Sequence, residues 1–320
     1  MTPADPARRT DLGGAAFIVL AAVCFGTLGP LSRFAEDAGV SPLTLVTWRA
    51  ALGAAVMALF ISARMLAGSA RPLALRAIPR RDRWFMVAAA VANTMLNFSV
   101  FVAFGRISIA LALLVFYLYP ALVALVSVMW LGERLDGVRW AALATSFAGL
   151  VLVLAGADGG IGRVDALGIG LAFVAGLAQV FYVLAARHGF AHVPGPQAAA
   201  LTMGGAAGLY LVIAALTGAV GGLVAPIASA NALLPVLVAG VIGAGIPTVA
   251  YITGIRRLGP SRASILAMLE PVVGVLLAAW LLAERPTLVQ LLGGAFILAA
   301  AALLQLRPRG PIADHEALAA

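Results

Sequence analysis

The chain has 320 residues, 63% of them hydrophobic and 11% charged, and a mean hydropathy of +1.06. These proportions exclude an ordinary soluble domain. The formal net charge of +8 comes from 21 basic residues, all arginine. They fall between apolar runs rather than along one soluble face, which argues against a nucleic-acid partner.

A hydrocarbon core about 30 Å thick needs roughly 20 apolar residues per helix. Ten runs meet that need, at about 14–31, 43–63, 84–103, 107–131, 138–155, 168–186, 198–217, 233–254, 262–283 and 287–306. The short alternating segments of a β-barrel are missing. The expected fold is an all-α polytopic membrane protein with ten transmembrane helices.

The first dozen residues are polar. The first run weakens at Gly26-Thr27-Leu28-Gly29-Pro30, and residues 33–42 read as a short loop. Cys24 is the single cysteine, so no disulfide framework exists. The Arg8-Arg9 pair resembles a twin-arginine signal, but nine more runs follow, so the first run reads as an uncleaved anchor. The second run carries Arg49 seven residues past Pro42, about 10 Å inside its end. From there the guanidinium either snorkels to headgroups or contacts an anion or a substrate carboxylate.

Residues 64–83 hold six arginines, with Pro72 and Pro79 opposing a further helix. The third run places Asn93 and Asn97 one turn apart, on one face. The fourth carries Phe116, Tyr117, Tyr119 and Pro120 at mid-depth, and the fifth a close-packing face of Ala141, Thr145 and Gly149. Residues 156–165 (GADGGIGRVD) lack GxGxxG and a GK[ST] ending, and read as a linker.

In the second half, Gln179 and Tyr182 share a face of the sixth run. The seventh holds Gly204, Gly205 and Gly208. The eighth contains Gly243-Ala244-Gly245-Ile246-Pro247-Thr248, the most helix-breaking stretch within any run, and then Tyr251. Glu270-Pro271 sits in the ninth, and Gly293-Gly294 in the tenth mirrors the fifth. Trp84, Trp130, Trp140 and Trp280 fall at run ends, as an interfacial belt requires.

Sliding residues 106–134 onto 257–285 without a gap aligns Arg106 with Arg257, Pro120 with Pro271, Glu133 with Glu284 and Arg134 with Arg285. Only five glutamates exist in the whole chain, so two in register are not a product of composition. A shift of 154 likewise aligns Gly14 with Gly168 and Arg33 with Arg187. Five helices per half is an odd number, so the repeats are inverted, an arrangement that places substrate sites near the midplane. If the N-terminus is cytoplasmic, 16 arginines flank the inner ends against four outside. The positive-inside rule therefore puts both termini in the cytoplasm.

The paired Pro-to-Glu-Arg segments (Pro120 to Arg134, Pro271 to Arg285), Arg49 early in the second helix and Leu269-Glu270-Pro271 resemble the EamA-type family of the drug/metabolite transporter superfamily. The resemblance implies one repeat over 12–155, a linker at 156–165 and a second repeat over 166–306. It also implies a carrier in a cell (inner) membrane exporting amino acids, related metabolites or toxic organic compounds. Internal symmetry is broken in two places: Tyr119 stands where Glu270 would be mirrored, and Met203 where Arg49 would be.

An ionised Glu270 at mid-depth is costly unless paired or hydrated. It reads either as a proton- or ammonium-binding group or as a packing carboxyl. Asn93, Asn97, Gln179 and Thr248 form a polar lining as a set, although each alone could bond a neighbouring helix. Tyr117, Tyr119, Tyr182 and Tyr251 add aromatic faces whose hydroxyls need partners. With Arg49 and Glu270 these are the candidate substrate contacts. No metal or cofactor is expected. The expected partners are the bilayer, a small-molecule substrate and, for coupling, protons. The Glu-Arg pairs at helix ends read as structural or gating contacts. Two rivals stand beside an amino-acid exporter: a broad drug or organic-cation efflux carrier, and an intramembrane enzyme. The enzyme is opposed by the absence of Asp or His within any run.

Overall fold

The computed structural model describes residues 6–69, 71–133, 135–156, 164–283 and 285–306. Arg134, Glu284 and residues 157–163 of the expected linker lie outside the described residues. Nine helices among the described residues are long and apolar enough to cross a membrane. They are α1 (Leu12–Asp37), α2 (Pro42–Leu66), α3 (Arg80–Phe104), α4 (Ile109–Trp130), α5 (Gly137–Ala155), α6 (Ala166–Gly189), α7 (Gly195–Leu216), α8 (Ala230–Leu258) and α9 (Pro260–Leu281). A tenth apolar helix, α10 (Leu288–Leu306), has 19 residues.

Several helices are broken where the sequence weakens them. In α4 the break falls at Tyr117-Leu118, just before Pro120, and in α9 at Met268, just before Pro271. A proline removes one backbone donor and clashes with the carbonyl four residues back. The two breaks share one register, 151 residues apart. In α8 the predicted weak stretch is a π-helical turn at Val241–Gly245, a form common at functional sites. One expectation fails. Residues 33–37 are not loop, because α1 resumes after Thr27 as Leu28–Asp37. Pro30 falls in the first turn of that second segment, where a missing N–H costs nothing. A 3₁₀ segment, Ala219–Ala228, also went unforeseen. It folds onto the start of α2, where its carbonyls accept from Trp48 (Leu223 O, 2.8 Å) and Thr44 (Gly222 O, 3.2 Å).

The packing is arranged in mirrored pairs. α1 packs along α8 and α3 along α6, while α2 packs on α7 and α5 on α10. Exchanging the halves converts the first pair into the second and returns the other two to themselves. Glycines mark the contacts. A Cβ on Gly14 would lie 3.0 Å from Arg257 Cβ, and one on Gly168 would lie 3.0 Å from Arg106 Cβ. A Cβ on Gly149 would come within 2.5 Å of the Gly293 carbonyl oxygen, and the reverse holds equally. Of the small-residue face expected on α5, Gly149 allows α10 to approach, whereas Ala141 is exposed and Thr145 half-buried. α9 joins α1, and α4 joins α6. Two bundles result, α1–α8–α9 and α6–α3–α4, each drawing helices from both halves.

The bundles meet unequally at their two ends. The first half of α9 packs on the second half of α4, whereas the mirrored contact, the first half of α4 on the second half of α9, is at most marginal among the described residues. At the joined end, Ser261 donates to Glu133 Oε2 at 2.7 Å, and Arg139 Nη1 lies 3.5 Å from Glu133 Oε1. Arg256 donates to three carbonyls, of Ala186 (3.2 Å), Val193 (2.8 Å) and Phe190 (2.7 Å), and Arg187 donates to the Arg256 carbonyl. This end is closed, and Glu133, expected to make structural or gating contacts, makes its contacts there. The four end-of-run tryptophans, Trp84, Trp130, Trp140 and Trp280, are all exposed on the outside of the bundle.

Candidate functional site: a cavity between the two halves

Between the bundles lies a small cavity of about 70 Å³. Six of the ten sequence-predicted residues line it: Arg49, Asn93, Gln179, Tyr182, Thr248 and Tyr251. They come from α2, α3, α6 and α8. The other four, Asn97, Tyr117, Tyr119 and Glu270, are not among its lining residues.

Arg49 is held from behind. Its Nη2 donates to Asn97 Oδ1 at 3.1 Å, and Asn97 Nδ2 donates to the Asn93 carbonyl at 2.8 Å. The one-turn spacing of the two asparagines makes this relay possible. Among the described residues no carboxylate lies within ion-pairing distance of Arg49. The guanidinium faces the cavity with most of its donors uncommitted to protein carboxylates, and it does not snorkel out to the helix end.

Gln179 Nε2 lies 3.3 Å from the Tyr251 hydroxyl, and Tyr119 lies near that hydroxyl. Phe25 meets the Tyr251 ring edge-on at 6.2 Å. Tyr117 and Tyr119 flank the α4 break and pack with Phe116, at centroid distances of 5.1 and 5.4 Å. Glu270, two residues past the break in α9, lies near Tyr117. It is close enough to Arg49 for their charges to interact, without forming an ion pair.

The cavity lining also consists of symmetry-related positions that carry different chemistry. Arg49 and Met203, 154 residues apart, both line it, as do Phe25 and Gln179 at the same shift, and Asn93 and Ala244 at a shift of 151. At each pair one member is polar and the other apolar or small. A site built from a duplicated frame would be symmetric; these substitutions give it a cationic side and direction.

Sequence reasoning missed Tyr210, Met203, Phe25 and Thr202. Tyr210 is 1% exposed, lines the cavity and donates to the Asn93 carbonyl at 3.4 Å. Nothing in its apolar surroundings distinguishes it from a packing tyrosine. Met203 had a signal, since it occupies the mirror position of Arg49. Its Sδ lies 3.1 Å from where a Gly53 Cβ would stand, so Gly53 makes room for it. Thr202 lies near Tyr182 and donates to the Ala198 carbonyl at 2.8 Å. Among the described residues no group of three or more His, Cys, Asp or Glu could hold a metal ion.

Comparison with known proteins agrees with this architecture. An uncharacterized transporter of Archaeoglobus fulgidus is 29% identical over 287 residues, covering 89% of this chain and 94% of its own. The uncharacterized transporter YxxF of Bacillus subtilis is 27% identical over 212 residues, 66% of each chain. A solved crystal structure aligns with a TM-score of 0.76 and 23% identity over 92% of this chain and 96% of its own, a likeness of fold. The model of the EamA-like transporter family matches twice, over residues 12–155 and 166–306. The chain is a multi-pass membrane transporter and belongs to the EamA-like transporter family.

Proposed function

We propose that this protein is a secondary carrier that exports neutral amino acids and related amines by alternating access, with aromatic or branched side chains preferred. The observation that carries this reading is the cavity-facing guanidinium of Arg49, oriented by Asn97 and without a carboxylate partner among the described residues. A buried guanidinium that faces open space suits a substrate carboxylate, which it can bind with two parallel hydrogen bonds. Glu270 supplies the opposite charge nearby, for a substrate ammonium or a coupling proton. The aromatic faces of Phe25, Tyr182 and Tyr251 suit an apolar body or a cation. Among the described residues Arg49 is the one arginine lining the cavity, and phosphorylated anions would call for more.

In this reading the two bundles rock against each other around the cavity. The joined end, with Glu133 and Arg256, is the cytoplasmic one, and the open end faces outward. Opening inward requires the Arg256 and Glu133 contacts to part while the mirrored end closes. The test is reconstitution in liposomes with a panel of amino acids, amines, organic cations and organic phosphates, with and without a pH gradient. Saturable transport of neutral amino acids supports the reading. Transport of a nucleotide-sugar or organic phosphate with none of any amino acid or amine would overturn it.

A further inference from the structure

The segment between α2 and α3 is held in place and carries a cluster of positive charge. Gln197, at the start of α7, grips Leu73 with two hydrogen bonds, accepting from its N–H at 2.9 Å and donating to its carbonyl at 2.6 Å. Ile78 is 1% exposed, and Gly68 turns the chain at φ +67° after α2. A segment with its middle pinned and an apolar side chain buried is a ledge, not a free loop.

On that ledge and at its two helix ends stand Arg64, Arg71, Arg76, Arg80, Arg81 and Arg83, all exposed. Among the described residues none of the six is ion-paired. The nearest acid in sequence, Asp82, is buried and faces His192 Nδ1 at 3.1 Å. Arg64 and Arg81 lie over the rings of Phe60 and Phe85, contacts that leave the charge in place. Leu66, Leu75 and Trp84 are exposed beside them, at 92%, 60% and 63%. Exposed large apolar groups and tryptophan at the ends of spanning helices mark the depth of the membrane interface. Six guanidiniums therefore stand at headgroup level, with none of them ion-paired to a carboxylate among the described residues.

We propose that this ledge is a binding surface for anionic phospholipid headgroups, holding a small set of phosphatidylglycerol-like lipids at the closed end of the carrier. Guanidinium matches phosphate in geometry as well as charge, and a juxtamembrane basic cluster gains roughly fivefold in association per residue from an anionic surface. The pin at Gln197 gives the surface a shape, which distinguishes it from a mobile basic loop that only senses surface potential. It also ties the ledge to α7, which carries Met203 into the cavity.

The experiment uses the full chain in vesicles of phosphatidylcholine containing about one-fifth phosphatidylglycerol, with trace spin-labelled phosphatidylglycerol or phosphatidylcholine. The expected result is a motionally restricted fraction several-fold larger for the anionic label, falling as salt is raised. The combined variant Arg71→Gln, Arg76→Gln, Arg80→Gln and Arg83→Gln should lose most of that selectivity. Gln197→Ala, which leaves every charge in place, should reduce it in part. Equal restriction of the two labels by the unaltered protein overturns the proposal, and needs no variant to fold. Full selectivity in the four-arginine variant places the lipid elsewhere and equally overturns it. Full selectivity in Gln197→Ala overturns the shaped surface.

Discussion

Arg256 Nη2 donates to the carbonyl oxygen of Phe190 at 2.7 Å, binding the end of α8 to the turn between α6 and α7. The two residues belong to different bundles, so this bond, with those to Ala186 and Val193, fastens the closed end. Hydrogen bonds from a charged donor are worth about 1.5–3 kcal/mol each. Arg256→Ala should therefore loosen the closed end and slow the transport cycle. Hydrogen exchange across residues 186–193 should rise at least tenfold, by about 1.4 kcal/mol of lost protection, while the α5–α10 contact keeps its protection. Unchanged exchange in that turn would remove Arg256 from the latch.

Arg49→Gln keeps a hydrogen-bonding side chain beside Asn97 but removes the charge. On the carboxylate reading, amino-acid transport should fall at least tenfold in kcat/KM while the matching amine, lacking the carboxylate, is moved as before. Equal losses for both would show that Arg49 shapes the cavity without binding the carboxylate.

Glu270→Gln tests the opposite charge. The amide matches the carboxyl in size and keeps its hydrogen-bonding capacity, so the variant should fold and purify like the parent, with transport reduced to a few per cent. Near-normal transport across pH would take Glu270 out of the cycle. Misfolding would favour a packing role, because a half-satisfied buried network is costly.

Gly149→Leu tests the helix pair rather than the site. Even a Cβ at that position would come within 2.5 Å of the Gly293 carbonyl oxygen. Overpacking of this kind typically costs about 1–3 kcal/mol. A lower melting temperature with unchanged apparent affinity for substrate is the expected pair of results.

Orientation is open to direct measurement. Reporter fusions after Arg83 and after Arg163 should report opposite sides of the membrane, with Arg83 cytoplasmic. The same side for both would contradict the inverted repeat.

The breaks in α4 and α9 were legible because a proline inside an apolar run has one structural meaning, and the register of Pro120 with Pro271 repeats it. The polar lining was legible for a similar reason: Asn93, Gln179 and Thr248 are expensive at mid-depth unless they face partners or a cavity. Tyr210 and Phe25 were not legible, since nothing in an apolar run marks which of its aromatic side chains faces a cavity. The continuation of α1 through Pro30 was misread because proline breaks a helix only beyond its first turn, and the break at Thr27 restarts the count. Arg49 left two readings open in the sequence, because its hydrogen-bond partner Asn97 stands on another helix, 48 residues away.

The make-up of the two bundles also has a consequence for how the protein is made. α1 ends at residue 37, and the helix it packs along, α8, begins at residue 230. At about 5–20 residues per second, the ribosome takes roughly ten to forty seconds to reach that partner. α3 must likewise await α6. During that interval the surfaces of Gly14 and of the Arg106–Ile107 segment, shaped for a partner helix, face lipid or the insertion machinery. Neither five-helix half closes a bundle by itself, so a nascent chain arrested after α5 should remain protease-sensitive however well its helices are inserted.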